Sequence, residues 1–241
     1  MKTKVLLLLL GLLFVTGAYS QSTVIRVPLI GETAPSFTAE STNGTIMFPE
    51  GYGRKWKVLL SHPADFTPVC SSEILELASE QKEFDKLKTQ LVIVSTDDLE
   101  RHINWKKSLE SLNYDGNGQQ EINFPIVDDH TKAIANPYGM IQPNSGSSKD
   151  VRGVFIIDPS NTIRALYFYP GTTGRNMEEL KRTIVALQTS DKETVLTPAN
   201  WEPGKDVMLP YATSGSDNTA AANPDPNTYQ LTWYMMYKKQ K

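Results

Sequence analysis

The sequence has only one cysteine, Cys70, in 241 residues. A single thiol cannot close a disulfide bond within the chain, so an intramolecular disulfide framework is excluded. The chain also has no excess of basic residues, because 24 Lys and Arg stand against 27 Asp and Glu. This balance gives no basic surface of the kind that binds nucleic acid or an anionic membrane. We therefore expect small molecules or other proteins as partners.

The sequence also lacks an apolar run long enough to cross a membrane. Residues 5–15 are apolar, whereas a spanning helix needs about 20 such residues. Lys2 and Lys4 precede this run, and the small residues Ala18 and Ser20 follow it at the spacing of a signal-peptidase site. We expect residues 1–20 to be a signal peptide, with export to a periplasm, a secretory lumen or the outside of the cell and without stable membrane insertion.

Apolar patterning predicts an α/β fold with a mixed sheet. Five segments have the pattern of buried strands: residues 56–61, 91–96, 124–127, 151–157 and 163–169. Four segments have helical periodicity: residues 70–87, 99–112, 131–138 and 176–189. Because strands alternate with helices before a final hairpin, we expect a partly parallel sheet with an antiparallel edge.

The pattern changes after residue 189, which we take as the end of a domain that begins at residue 21. Residues 190–241 contain five prolines, a polar run and isolated aromatic residues. Segments with this composition rarely form a core of their own. We expect an irregular extension whose aromatic side chains pack on the domain or on a partner subunit.

Cys70 lies at the start of the first predicted helix, shortly after a predicted strand. At a helix N-terminus, unpaired N–H groups and the helix dipole favour a thiolate. Thr67 can direct its hydroxyl towards the sulfur, and Pro63 and Pro68 restrict the loop. A cation from elsewhere in the chain would complete a site for a nucleophilic cysteine. The alternative is a buried, unreactive thiol.

Pro63, Thr67 and Cys70 form the pattern Pro-x-x-x-Thr-x-x-Cys within residues 61–73. This pattern resembles the active-site motif of the peroxiredoxins of the AhpC/TSA family, and the longer stretch resembles their single-cysteine, peroxiredoxin-6-like branch. Three later matches follow in order: residues 151–158 are similar to the strand with the family's active-site arginine, Gly174-Arg175 to its later Gly-Arg pair, and residues 197–201 to the C-terminal dimerisation extension.

The resemblance implies a thioredoxin-like fold and the reduction of hydroperoxides. Cys70 would attack the peroxide and become a sulfenic acid. Thr67 and Arg152 would hold the sulfur and the peroxide oxygens, and Pro63 would shield the site. Three supporting residues are implied: Glu73, which would orient the arginine, His62, which would tune the thiol or stack against it, and Arg175. No cofactor and no metal ion is implied.

The chain departs from two-cysteine peroxiredoxins because no resolving cysteine follows Cys70. The resemblance therefore implies an external thiol reductant, either a thioredoxin-like protein or a small thiol. The similarity of residues 197–201 to the dimerisation extension separately implies a homodimer or higher homo-oligomer. The segment comparable to the lipase-like motif of some single-cysteine relatives, residues 49–53, has no serine. We therefore expect no lipase activity.

Two other functions remain open from the sequence. The first is a redox-sensing oligomeric holdase that binds proteins without efficient peroxidase turnover. The second is a hydrolase that uses Cys70 and His62. The sequence disfavours the hydrolase because it shows no third residue to orient the histidine.

Overall fold

The computed structural model describes residues 26–142, 146–210 and 225–240. The expected signal peptide, residues 1–20, lies outside them. The strands and helices in chain order are β1 (Phe37–Ala39), β2 (Ile46–Phe48), β3 (Trp56–Ser61), α1 (Pro68–Lys86), β4 (Thr89–Ser95), α2 (Leu99–Glu110), β5 (Ile126–Asp128), β6 (Arg152–Ile157), β7 (Ile163–Tyr169), α3 (Met177–Glu193), β8 (Val207–Met208), β9 (Thr228–Thr232) and β10 (Met235–Lys238).

The central sheet has five strands in the order β5-β4-β3-β6-β7. Strands β3, β4 and β5 are parallel, and α1 and α2 supply the crossovers that parallel strands need. Strand β6 pairs antiparallel with both β3 and β7. This arrangement confirms the predicted α/β fold with an antiparallel edge.

Strand β3 is the centre of the sheet and is buried along its whole length. Because side chains alternate between the two faces of a strand, Val58 and Leu60 pack beneath α1 and α3, while Leu59 packs on the opposite face. Lys57 is also buried, and its Nζ donates to the Gly53 carbonyl (2.9 Å) and to Asn161 Oδ1 (2.7 Å). Burial lowers the pKa of Lys57 from its usual value.

The predicted helix at residues 131–138 is wrong, because these residues form a series of turns. The carboxylate of Asp129 accepts hydrogen bonds from the backbone N–H groups of Ile134 (2.9 Å) and Ala135 (2.7 Å). These two N–H groups are therefore not available for helical bonds, although Asn136 and Tyr138 still donate to carbonyls four residues earlier. The apolar spacing that suggested a helix arises because Ile134, Ala135 and Tyr138 are buried against the sheet.

The C-terminal extension is more regular than its composition indicates. Strands β8, β9 and β10 form a three-stranded antiparallel sheet in the order β8-β10-β9. Trp201 and Val207 pack with Ala186 of α3, which attaches the extension to the domain. Helix α3 itself continues to Glu193, beyond residue 189. None of the helices in the described part of the chain is both long and apolar enough to cross a membrane.

Candidate active site

Cys70 is the third residue of α1 and is only 1% exposed. Thr67 precedes the helix as its N-cap residue, and Pro68 occupies the first helical position. Proline is favourable there because its missing N–H would have no partner within the helix. The sequence therefore places the thiol at the predicted helix start, next to the unpaired N–H groups of the first turn.

Arg152 provides the cation that the sequence analysis expected from elsewhere in the chain. It is the first residue of β6, and its Nη1 lies 3.3 Å from Cys70 Sγ. The same nitrogen donates to Glu73 Oε2 at 2.6 Å, while Nη2 donates to the Gly171 carbonyl at 2.7 Å. Arg152 and Cys70 are both buried. The sulfur therefore lies beside a guanidinium donor whose position is fixed by its other two partners.

Glu73 links Arg152 to a second arginine, Arg175. Its Oε1 accepts from the backbone N–H of Arg175 (2.8 Å) and from Nε (2.9 Å), and its Oε2 accepts from Nη2 (2.7 Å). Arg175 Nη1 also donates to the carbonyls of Ser61 and Gly153, at 2.9 and 3.0 Å. Burial alone would raise the pKa of Glu73, but the charge and hydrogen bonds of Arg175, followed by the charge of Arg152, hold it below its usual value. Glu73 therefore contacts the arginine that it was expected to orient.

Pro63 lies beside this group of charges, and its shielding role stays a prediction. A β-carbon placed on Gly171 would lie 3.5 Å from Pro63 Cγ. The proline ring therefore packs next to the residue whose carbonyl holds Arg152.

The expectation that the Thr67 hydroxyl points at the sulfur is not met. Thr67 Oγ1 donates its proton to the Ala64 carbonyl at 2.8 Å. A hydroxyl has one proton to donate, so in this conformation it cannot also donate to Cys70. Thr67 stabilises the loop before α1, and its oxygen remains able to accept a hydrogen bond.

His62 belongs to a buried cluster that the sequence analysis did not identify. The carboxylate of Asp65 lies between two histidines, with Oδ1 2.8 Å from His62 Nε2 and Oδ2 2.7 Å from His102 Nδ1. Burial would raise the pKa of Asp65, but the two histidine hydrogen bonds lower it to about 2. Burial also lowers the pKa of His62. The ring of His62 packs on Trp105 with 5.0 Å between ring centroids.

Asp65 is the third orienting residue that the hydrolase alternative lacked. However, the hydrogen bond of Cys70 in the described structure is to Arg152, and none joins Cys70 to His62. The motif already contained Asp65, but His102 lies in α2, 37 residues later. Only the fold brings them together. Across the described ranges, no group of three or more His, Cys, Asp or Glu residues is arranged to hold a metal ion.

Comparison with known proteins extends over most of the chain. Residues 30–166 match the AhpC/TSA family, and residues 186–217 match the C-terminal domain of 1-Cys peroxiredoxin. A peroxiredoxin of Methanosarcina mazei is 46% identical over 215 residues, which cover 88% of this chain and 98% of that protein. The mitochondrial peroxiredoxin PRX1 of Saccharomyces cerevisiae is 42% identical over 197 residues, covering 79% and 74% of the two chains.

Two solved structures are similar to the whole fold. A yeast mitochondrial 1-Cys peroxiredoxin superposes with a TM-score of 0.78 and 38% identity, covering 89% of this chain and all of the other. A cysteine-to-serine mutant of peroxiredoxin 6 from Arenicola marina gives a TM-score of 0.78 and 32% identity, covering 89% and 99%.

Proposed function

The chain belongs to the AhpC/TSA family of peroxiredoxins, which are thiol-dependent peroxidases, and we propose that Cys70 is the cysteine that hydroperoxides oxidise. The observation that carries the proposal is the contact of 3.3 Å between Arg152 Nη1 and Cys70 Sγ. Cys70 is the only thiol in the chain, and this contact gives it a buried guanidinium donor.

The reaction follows from this contact. The Cys70 thiolate attacks the terminal oxygen of hydrogen peroxide or an organic hydroperoxide, the O–O bond breaks, and the sulfur becomes a sulfenic acid. The leaving oxygen takes a proton and departs as water or an alcohol. Negative charge moves from sulfur to oxygen during this step. Arg152 stabilises the charge at both positions because its planar group of N–H donors is already fixed by Glu73 and Gly171.

The return to the thiol uses an external reductant in this proposal, because the chain has no second cysteine. A thiolate attacks the sulfur of the sulfenic acid, giving a mixed disulfide and hydroxide, which takes a proton and leaves as water. A second thiol then forms a disulfide with the first and releases Cys70. The similar yeast mitochondrial structure concerns thiol resolution through glutathione and thioredoxin systems. This supports a small thiol or a thioredoxin-like protein as the reductant.

We also propose that the chain forms a homodimer or a higher homo-oligomer. Five large apolar or aromatic residues of the extension are exposed in the described structure, and the most exposed of them are Leu231 (68%), Trp233 (55%) and Tyr234 (55%). Exposed groups of this kind are typical of interaction surfaces. Sedimentation equilibrium measures the mass directly, and a monomer at micromolar concentration would contradict this proposal.

Export through the signal peptide at residues 1–20 is a further part of the proposal. It is supported by the charged start, the short apolar run and the small residues before position 21. N-terminal sequencing of the protein from its native cells should give a first residue at or near Gln21. A retained Met1 would contradict it.

Stopped-flow tryptophan fluorescence tests the peroxidase proposal. Trp105 is a suitable reporter, since its Nε1 lies 3.2 Å from Ser71 Oγ, next to Cys70. Mixing with hydrogen peroxide should give a fast change that is absent in Cys70→Ser and greatly slowed in Arg152→Ala. Arg164→Ala is the matched control, because Arg164 pairs with Asp191 outside the site.

Oxidation of the wild type at the rate of an ordinary free thiol would contradict the proposed activity. Suppression of protein aggregation that persists in Cys70→Ser would instead support the holdase alternative.

A further inference from the structure

The carboxylate of Asp97, two residues after the end of β4, contacts residues from three places in the chain. Its Oδ2 accepts the backbone N–H of Asp65 at 2.7 Å and lies 3.5 Å from Arg101 Nε. Its Oδ1 accepts from Lys149 Nζ at 2.6 Å. The carboxylate of Asp97 and its hydrogen bond with the Asp65 N–H are buried, whereas the side chains of Arg101 and Lys149 are 46% and 41% exposed.

The first segment linked to Asp97 leads into the helix with Cys70. Arg101 Nη2 donates to the Asp65 carbonyl at 3.2 Å, so both polar groups of the Asp65 backbone are held. The next residue, Phe66, has a φ of +57°, which is unfavourable for a bulky side chain and persists only where neighbouring contacts hold it. Asp97 and Arg101 supply these contacts, and thereby fix the direction in which the chain enters α1.

The second segment linked to Asp97 leads into the strand with Arg152. Lys149 lies three residues before Arg152. Between them, Val151 donates its N–H to the Met140 carbonyl at 2.9 Å and accepts from Ser61 Oγ at 2.6 Å. A displacement of Lys149 is therefore transmitted along a short, tightly bonded stretch to the guanidinium.

We propose that Asp97 is a positioning residue for the peroxidase reaction, whose carboxylate holds the segment with Cys70 and the segment with Arg152 in a fixed relative position. The inference rests on the proposed function of Cys70. Asp97 makes no hydrogen bond to the sulfur or to Arg152 in the described structure and acts through Asp65 and Lys149. The distance of 3.3 Å between Arg152 Nη1 and Cys70 Sγ is the quantity that it controls.

The test measures the second-order rate constant of Cys70 oxidation by hydrogen peroxide in the full chain. Asp97→Ala should lower it by roughly ten- to a hundredfold, because displacements of about 1 Å have effects of this size. Asp97→Asn should fall between Asp97→Ala and the wild type, since its amide oxygen can still accept from Asp65. Asp85→Ala, an exposed change on α1, is the matched control and should leave the rate unchanged.

A double-mutant cycle separates positioning from general destabilisation. Lys149→Met alone should slow oxidation, but it should cause no further loss in the Asp97→Ala background, because the two residues act through one contact. Thermal unfolding of each variant shows that the rates refer to folded protein. If Asp97→Ala does not fold, Asp97→Asn combined with Lys149→Met completes the same cycle. Equal slowing by Lys149→Met in both backgrounds, or a wild-type rate in Asp97→Ala, overturns the inference.

Hydrogen exchange distinguishes failure of this inference from failure of the proposed function. The backbone N–H of Asp65 should exchange slowly in the wild type and much faster in Asp97→Ala. If the wild-type thiol reacts with peroxide no faster than an ordinary thiol, the proposed function fails and exchange alone decides whether Asp97 holds the segment. Unchanged exchange at Asp65 in Asp97→Ala contradicts the positioning role.

Discussion

Replacing Glu73 by glutamine should impair both the stability and the reactivity of the site. Glu73 accepts four hydrogen bonds from the two arginines, two at each carboxylate oxygen. Glutamine retains one acceptor oxygen but turns an NH₂ group towards donors at the other position. Arg152 and Arg175 have hydrogen-bond donors and no acceptor, so neither can bond to this NH₂ group.

The expected magnitude follows from the hydrogen bonds that the substitution removes. Two hydrogen bonds to a charged acceptor disappear, each worth about 1.5–3 kcal/mol. The two buried guanidinium groups also lose the charge that compensates them. Removing one partner of a buried ion pair lowers the free energy of unfolding by about 3–5 kcal/mol. Because Arg152 is no longer fixed, peroxide oxidation of Cys70 should slow by about 10²–10³, the effect of losing one preorganised donor.

Equilibrium unfolding in guanidinium chloride measures the effect of Glu73→Gln on stability, and stopped-flow oxidation of Cys70 measures its effect on reactivity. Glu76→Gln is the matched control, because it makes the same chemical change one turn later on α1 at a residue without a side-chain ion pair in the described structure. The reasoning is refuted if Glu73→Gln unfolds at the same guanidinium concentration as the wild type and also oxidises within about threefold of its rate, which corresponds to less than about 1 kcal/mol in the barrier.

Three further changes give distinct results. Arg152→Lys should slow stopped-flow oxidation by about 10²–10³, because one ammonium cannot replace the fixed guanidinium, whereas a wild-type rate would show that charge alone suffices. Lys57→Met should lower the free energy of unfolding in urea by about 1–3 kcal/mol, since Asn161 Oδ1 loses its buried donor; unchanged unfolding would contradict this. Burial, with the charge of Asp129, raises the pKa of Asp150 to about 8. The folded state therefore holds a proton that the unfolded state releases, so wild-type stability falls as pH rises from about 4 to about 8. Asp150→Asn removes this dependence, and its advantage in melting temperature should grow between pH 5 and pH 8; a constant difference would contradict the assignment.

The strand and helix around Cys70 could be predicted because their signals are local. Strand β3 is an apolar run, and α1 has a proline at its first position and a continuous apolar stripe. Arg152 could be named only through resemblance to a family, since a single arginine in a strand has no local signature. Arg152 and Cys70 are separated by 82 positions in the sequence, and the pairing of β3 with β6 brings them together. No periodicity in the sequence reveals this pairing.

The errors at Thr67 and at residues 131–138 have a common physical cause. In both places a hydrogen-bond donor has more than one acceptor nearby in the sequence, and the pattern does not show which acceptor it uses. Thr67 donates to the nearby Ala64 carbonyl instead of the sulfur, and Asp129 captures N–H groups that a helix would have used. The buried cluster around Asp65 was missed for a different reason, because His102 reaches it only after α2 packs beside the loop. The spacing of residues in the sequence does not predict which hydrogen-bond partner is used or which distant residues come into contact.

The charges around Cys70 affect both halves of the proposed cycle, the oxidation of Cys70 by peroxide and its reduction by an external thiol. With the sulfur as a thiolate, its charge and that of Glu73 balance those of Arg152 and Arg175, so the buried group is neutral. A sulfenic acid carries no charge, so oxidation leaves one positive charge uncompensated in a buried position, which is unfavourable. An incoming thiolate supplies the missing negative charge. Arg152, which stabilises charge on the peroxide oxygen, therefore also favours attack by the reductant, and Glu73 sets this balance by keeping the excess at one charge.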